Sequence, residues 1–267
     1  MKNREKNELI ISHAEAFVFG AINNLYSCID RLNDPDISQS EREMLISGIR
    51  ESSCKIGGAS NALFTVMRYL NGKKPYLPAI FTFDELLDDV YSALSVCSDA
   101  AKAVESPNIM SDSFNISCDR EKLARCFYVI IAAALEREPC SKIAVTVTEK
   151  GSSFLFSFAL KGITVSSEDL SILNLPAKEF LPALSTPTVA TLRIFYLKVL
   201  ADIQKGTLSF SSDTDSGSFA VLSIPKRTGV TLGTLKENRK IIFSLPEAAR
   251  EEFYSITNNS EKDDILC

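Results

Sequence analysis

The chain has 267 residues, 45% apolar, 24% charged and 9% aromatic, with a net charge of −5. That composition is globular, excludes disorder as the main state, and allows one or two domains with a sizeable core. The longest uncharged apolar run, about 127 to 135, is far short of the ~20 residues that cross a bilayer. The acidic balance argues against a nucleic-acid-binding face, which would be basic.

The opening stretch is charged and adjoins no secretory apolar segment, so no signal peptide and a cytoplasmic location are expected. Seven cysteines stand at 28, 54, 97, 118, 126, 140 and 267, without a Cys-x-x-Cys pair. They read as reduced, mostly buried thiols. One histidine and scattered cysteines predict no metal site.

Residues 8–32 carry an apolar stripe through Ile11, Ala14, Val18, Ala21, Ile22, Leu25, Ile29 and Leu32, which predicts a helix. Asn33-Asp34-Pro35-Asp36 breaks it. The Ser40 and Glu43 spacing predicts a capping box that starts a second helix. That helix carries a heptad seam at Leu45, Ile49, Ser52, Ile56, Ala59, Leu63, Val66 and Leu70, and ends at Asn71-Gly72. Two long antiparallel helices bury little alone, so the seam predicts a four-helix bundle in a homodimer. His13, the only histidine, falls about 130° from the centre of the first stripe, on the solvent side.

Beyond a linker, Phe81-Thr82-Phe83 reads as a strand, and Asp84 as the N-cap of a helix over 85–104. Asn115-Ile116-Ser117 reads as a strand, and Asp119 as the cap of a helix over 120–137. Strands over 142–148 and 154–160 alternate around Lys150-Gly151 as a hairpin. Residues 173–187 read as proline-rich loop with a short helix, and 188–204 as an amphipathic helix with Gly206 as its C-cap. Strands over 207–211 and 219–224 form a second hairpin. The fold class is α+β: the N-terminal hairpin, then an α/β sandwich with a mixed sheet and helices on one face. The tail holds a strand over 240–245 and a helix over 246–256, with Pro246 in its first turn and frayed last residues.

The order of these elements resembles the core of a sensor histidine kinase, a dimerising hairpin followed by a GHKL-type ATP-binding domain. The resemblance covers about 8–225, with a hairpin over 1–75, an ATPase-like domain over 80–225 and an extension over 226–267. Ser12-His13-Ala14-Glu15 resembles the H-box and puts His13 on the phosphoacceptor position. The acidic residue that follows the histidine in the family is Ala14 here. Asp119-Arg120-Glu121-Lys122-Leu123 matches the opening of the N-box helix, but its two asparagine positions are Val129 and Ala133. Aligned on Gly162-Ile163, the adenine-binding aspartate is Phe158 and the first glycine Leu160. The Gly-x-Gly-Leu positions read Thr191-Leu192-Arg193-Ile194, while Ser216-Gly217-Ser218-Phe219 still resembles the exit strand.

Four separate groups that hold Mg-ATP in the family are replaced, so the resemblance implies a domain that keeps its fold without nucleotide, cofactor or metal. It implies two-component signalling of a phosphorelay kind, similar to ChpT-type histidine phosphotransferases, with His13 as the catalytic residue. An exposed imidazole, of reference pKa ~6.5, is mostly neutral near pH 7 and nucleophilic. The partner would be a response regulator or a histidine kinase, docking around His13, Phe17 and Gly20. The alternatives are a non-catalytic pseudokinase dimer that modulates a kinase or regulator, and an active kinase with a divergent ATP site. No nucleic acid or membrane partner is expected.

Overall fold

A computed structural model describes residues 2–74, 76–94, 104–105, 108–109, 115–138, 142–184, 188–213 and 217–226. Helices α1 (Lys2–Leu32) and α2 (Gln39–Leu70) form the antiparallel hairpin. The cap of α2 is Ser38, not Ser40: its side chain accepts from the Glu41 amide. Both serines have a glutamate three residues on, and the earlier one ends the turn first. Glu41 also pairs with Arg31 across the bend at 2.7 Å. Ser52, the one polar residue of the heptad seam, is buried and accepts from Asn24 Nδ2 at 2.9 Å.

The hairpin leaves apolar side chains uncovered, among them Tyr26 and Phe64, 61% and 67% exposed. At 100° per residue, Ile22, Tyr26 and Ile29 lie about 80–140° from the Ala21 line that faces α2. Ile46 and Phe64 lie about 120° from the Ser52 line. Because the helices run antiparallel, both offsets turn to the same side of the hairpin.

Strand β1 (Ala79–Thr82) pairs antiparallel with β3 (Asn115–Cys118). Helix α3 (Phe83–Leu94) begins one residue before the expected Asp84 cap. Thr82 and Glu85 cap it reciprocally: Thr82 Oγ1 accepts from the Glu85 amide at 3.1 Å, and Glu85 accepts from the Thr82 amide at 2.8 Å. Val104 is not the end of that helix but bridges in parallel to Ile143. Strand β2 (Asn108–Ile109) runs parallel to β4 (Ile143–Lys150). Helix α4 (Arg120–Arg137) starts at Asp119, whose carboxylate accepts from the Lys122 amide, from Lys122 Nζ and from the Leu77 amide. One buried carboxylate thus fixes both the helix start and the incoming linker.

Strand β5 (Ser153–Leu160) follows, then α5 (Ser167–Leu173), α6 (Ala177–Ala183), α7 (Val189–Ile203), β6 (Thr207–Asp213) and β7 (Gly217–Pro225). The proline-rich stretch carries the expected short helix as α6, and Leu173 is the last residue of α5. The larger sheet is mixed, in the order β2-β4-β5-β7-β6. Its inner face carries Val145, Phe156, Phe158, Ala220 and Leu222, all buried under the helices. Its outer rows read Thr148–Leu155–Ser223–Thr207, Thr146–Ser157–Val221–Ser209 and Ala144–Ala159–Phe219–Ser211.

The left-handed residue that ends α7 is Lys205 (φ 58), not Gly206. Gly206 serves close approach instead: a Cβ there would lie 2.4 Å from the Ser223 carbonyl oxygen. The expected tail strand and helix lie outside the described residues. No helix among the described residues is long and apolar enough to cross a membrane.

Candidate functional site

The positions that bind nucleotide in the resembled family converge where α4, the end of β5 and the start of α7 meet. On α4, Val129 is buried and Ala133 half-buried. Neither offers the oxygen that a Mg²⁺ ion requires. Phe158 on β5 is fully buried, with its ring edge-on to Phe127 at 4.8 Å and 77°. A phenyl ring cannot accept a hydrogen bond from an adenine amino group. Leu160 is buried at the strand end, and Gly162 turns the chain at φ 83.

The start of α7 closes on itself. The Thr188 side chain accepts from the Thr191 amide at 3.2 Å, and Thr191 Oγ1 accepts from the Thr188 amide at 2.7 Å. A helix N-terminus holds phosphate through such free amides. Here threonines satisfy part of that donor set, and Thr191 stands on the first glycine position. Arg193, on the second, forms an ion pair with Glu136, one turn beyond Ala133 on α4. Arg137 donates to the Thr164 carbonyl at 3.0 Å. Helices α4 and α7 are therefore tied together by the Arg193–Glu136 pair. The residues at these positions do not fit Mg-ATP. Sequence reasoning missed the Glu136–Arg193 pair, whose partners are 57 residues apart; the only signal was an arginine on a glycine position.

His13 lies on α1 by its backbone, and its side chain, like that of Ala14, is outside the described part. Of the surface expected around it, Glu15 and Gly20 are exposed and Phe17 is half-buried. Among the described residues no group of three acidic, histidine or cysteine side chains could hold a metal.

A second polar cluster lies where the hairpin meets the domain. Tyr69 at the end of α2 is buried in the domain core, and Lys74 pairs with Asp202 of α7 at 2.6 Å. Burial, then Asp202 beside it, pushes the Tyr69 hydroxyl well up. Burial raises Asp202 itself, but the hydrogen bond from Lys74, with the Tyr69 hydroxyl nearby, outweighs it and holds the carboxyl below its usual range. Lys74, Tyr76, Asp202 and Lys205 help to line a cavity of about 590 Å³. Higher on α7, Lys198 is buried between the rings of Phe180 and Phe210, 5.4 and 5.8 Å from their centroids. Burial pushes its amine down to about 8. The Cys126 thiol is pushed up by burial, which leaves it inert.

No family description matches the chain. No curated protein sequence matches it either. Solved structures do. The histidine kinase AdeS of Acinetobacter baumannii superposes with a TM-score of 0.57 at 16% identity, over 82% of this chain and 98% of that one. The histidine kinase ThkA, solved with the response regulator TrrA, gives 0.56 at 16%, over 85% and 64%. Full-length ShkA, solved with AMPPNP, gives 0.57 at 15%, over 84% and 47%. The chain has the fold of a histidine-kinase core, a helical hairpin followed by an α+β domain of the catalytic type.

Proposed function

We propose that the protein is a histidine phosphotransferase of two-component signalling, working between response regulators through His13 and without ATP. The observation that carries this reading is the cleft. Val129 and Ala133 stand where magnesium ligands would be, Phe158 fills the aspartate position, and α7 caps its own N-terminus. The fold is kept while the groups that would hold nucleotide are replaced.

In such a transfer a ring nitrogen of His13 attacks the phosphorus of a regulator's aspartyl phosphate. The P–N bond forms as the P–O bond breaks, and the carboxylate leaves with the bonding electrons. The reverse step delivers the phosphoryl group to a second regulator. The regulator brings the magnesium and most of the charge stabilisation. ThkA was solved with a response regulator, which supports that class of partner. The uncovered apolar side of the hairpin, with Tyr26, Ile29, Ile46 and Phe64, supports a homodimer with a four-helix bundle. The hairpin takes residues 1–75 and the ATPase-like domain 80–225.

One observation favours a second reading, a non-catalytic pseudokinase dimer. Ala14 follows His13, and the nearest carboxylate, Glu15, points about 100° away from the missing one.

The test has two parts. Mg-ATP titrated calorimetrically at millimolar concentration gives no saturable heat, whereas a Kd below ~1 mM returns the kinase reading. Receiver domains charged with phosphoramidate then transfer phosphate to the wild-type chain but not to His13→Gln, with the dimer intact by light scattering. Equal labelling of both, or of neither, overturns the phosphotransferase reading.

A further inference from the structure

The middle of the sheet's outer face is uncharged, with Lys150 and Asp213 at its two margins. Its three cross-strand rows hold no Lys, Arg, Asp or Glu, although at 24% charged content roughly three of twelve positions would carry one. A sheet face turned to water normally alternates with polar and charged residues. This face carries Leu155, Phe219 and Val221 among small alanines, serines and threonines, and the described helices pack on the other side. Small uncharged side chains make a flat surface of the kind that a second layer covers.

The chain itself supplies a candidate for that layer. It continues for 41 residues beyond Lys226, 267 less 226. Lys226 is fixed at one end of the sheet: its amide donates to the Ser152 carbonyl at 2.7 Å and its Nζ pairs with Glu149 at 2.8 Å. Lys240 lies fourteen chain steps further on, a reach of up to about 46 Å. The five strands span only about 20 Å across. Beyond that point come Ile241, Ile242 and Phe243, then Leu245, Ala249, Phe253 and Ile256 at steps of four, four and three. That spacing is a helical apolar stripe with no other partner assigned to it.

We infer that the C-terminal segment, residues 240–256, docks on the uncharged middle of the sheet's outer face and makes the domain three-layered. This does not rest on the phosphotransfer reading.

The test uses the full chain. Ser157→Cys places a thiol in the middle row, and maleimide labelling of its peptide is followed by mass spectrometry. The expected result is labelling at least tenfold slower than in the same chain also carrying Ile242→Asp and Phe253→Asp. Equal, fast labelling in both means an open face and overturns the proposal. Slow labelling in both that speeds up on dilution also overturns it, because a second copy is then the cover. A separate variant, Val221→Lys, guards against misfolding of the tail variant. It lowers the melting temperature by several degrees if the face is covered, and a shift under one degree refutes the coverage.

Discussion

Phe158→Ala is the sharpest test of how the cleft is filled. The ring is fully buried on β5, between β4 and β7, and stacks edge-on against Phe127. Phe→Ala in a core costs about 3–5 kcal/mol, from lost transfer energy and the cavity left behind. The aromatic pair accounts for about 0.5–1.5 kcal/mol of that. Whole domains hold only about 5–15 kcal/mol, so the loss is a large fraction. With a urea slope of about 2 kcal/mol per molar, the midpoint falls by about 2 M. The chain has no tryptophan, so far-UV circular dichroism is the readout. Leu77→Ala is the control, since Leu77 is 51% exposed and makes its hydrogen bond through the backbone; it costs under about 1 kcal/mol. A Phe158→Ala loss below about 1 kcal/mol, with the slope unchanged, would mean that the ring does not fill the core and that the cleft argument fails.

Gly206→Ala places a Cβ 2.4 Å from the Ser223 oxygen and 2.8 Å from Ile224 Cδ1; a loss of about 1–3 kcal/mol in thermal unfolding is expected. Lys198 has a folded pKa of about 8, against about 10.4 unfolded, so between those values the unfolded chain binds more protons and stability rises with pH. Lys198→Met removes that rise and gains about 1–3 kcal/mol at pH 7, less what the two ring faces return; a melting profile over pH 7–11 unchanged by the substitution would refute it. At the hairpin–domain junction, Tyr69→Ala costs about 3–5 kcal/mol. The half-exposed Lys74–Asp202 pair, in a double-mutant cycle, contributes only about 0.2–1 kcal/mol and fades in high salt. Because the Asp202 pKa is depressed, that small share is present above about pH 4 and is lost as pH falls through the lower folded value.

Local chemistry was legible and long-range chemistry was not. The heptad seam and Pro35 gave the hairpin, and Asp119 was recognised as the α4 cap that it is. Errors arose where two local signals competed. Ser38 and Ser40 both precede a glutamate by three, and the sequence does not rank them. Phe81-Thr82-Phe83 alternates like a strand, which hid the Thr82–Glu85 box that starts α3. Gly206 looked like a left-handed cap, but the crowding of Ser223 claims the glycine and passes the positive φ to Lys205. The motif positions could be proposed from the sequence because each lies in a short window. The Glu136–Arg193 tie and the Lys74–Asp202 contact were not, because folding alone brings those residues together.

The direction of the cleft substitutions carries its own argument. A pocket that binds nucleotide holds polar groups whose burial the ligand compensates. With no ligand, each such group left unpaired costs about 1–3 kcal/mol. Replacement by apolar side chains removes that cost and adds core contact. Val129, Ala133 and Phe158 are replacements of that kind, and Phe158 joins the aromatic cluster with Phe127 and Phe156. Arg193 goes further, since a glycine position now carries a side chain that ties α7 to α4. Substitution toward packing and internal pairing is what stability alone favours at positions that no ligand occupies.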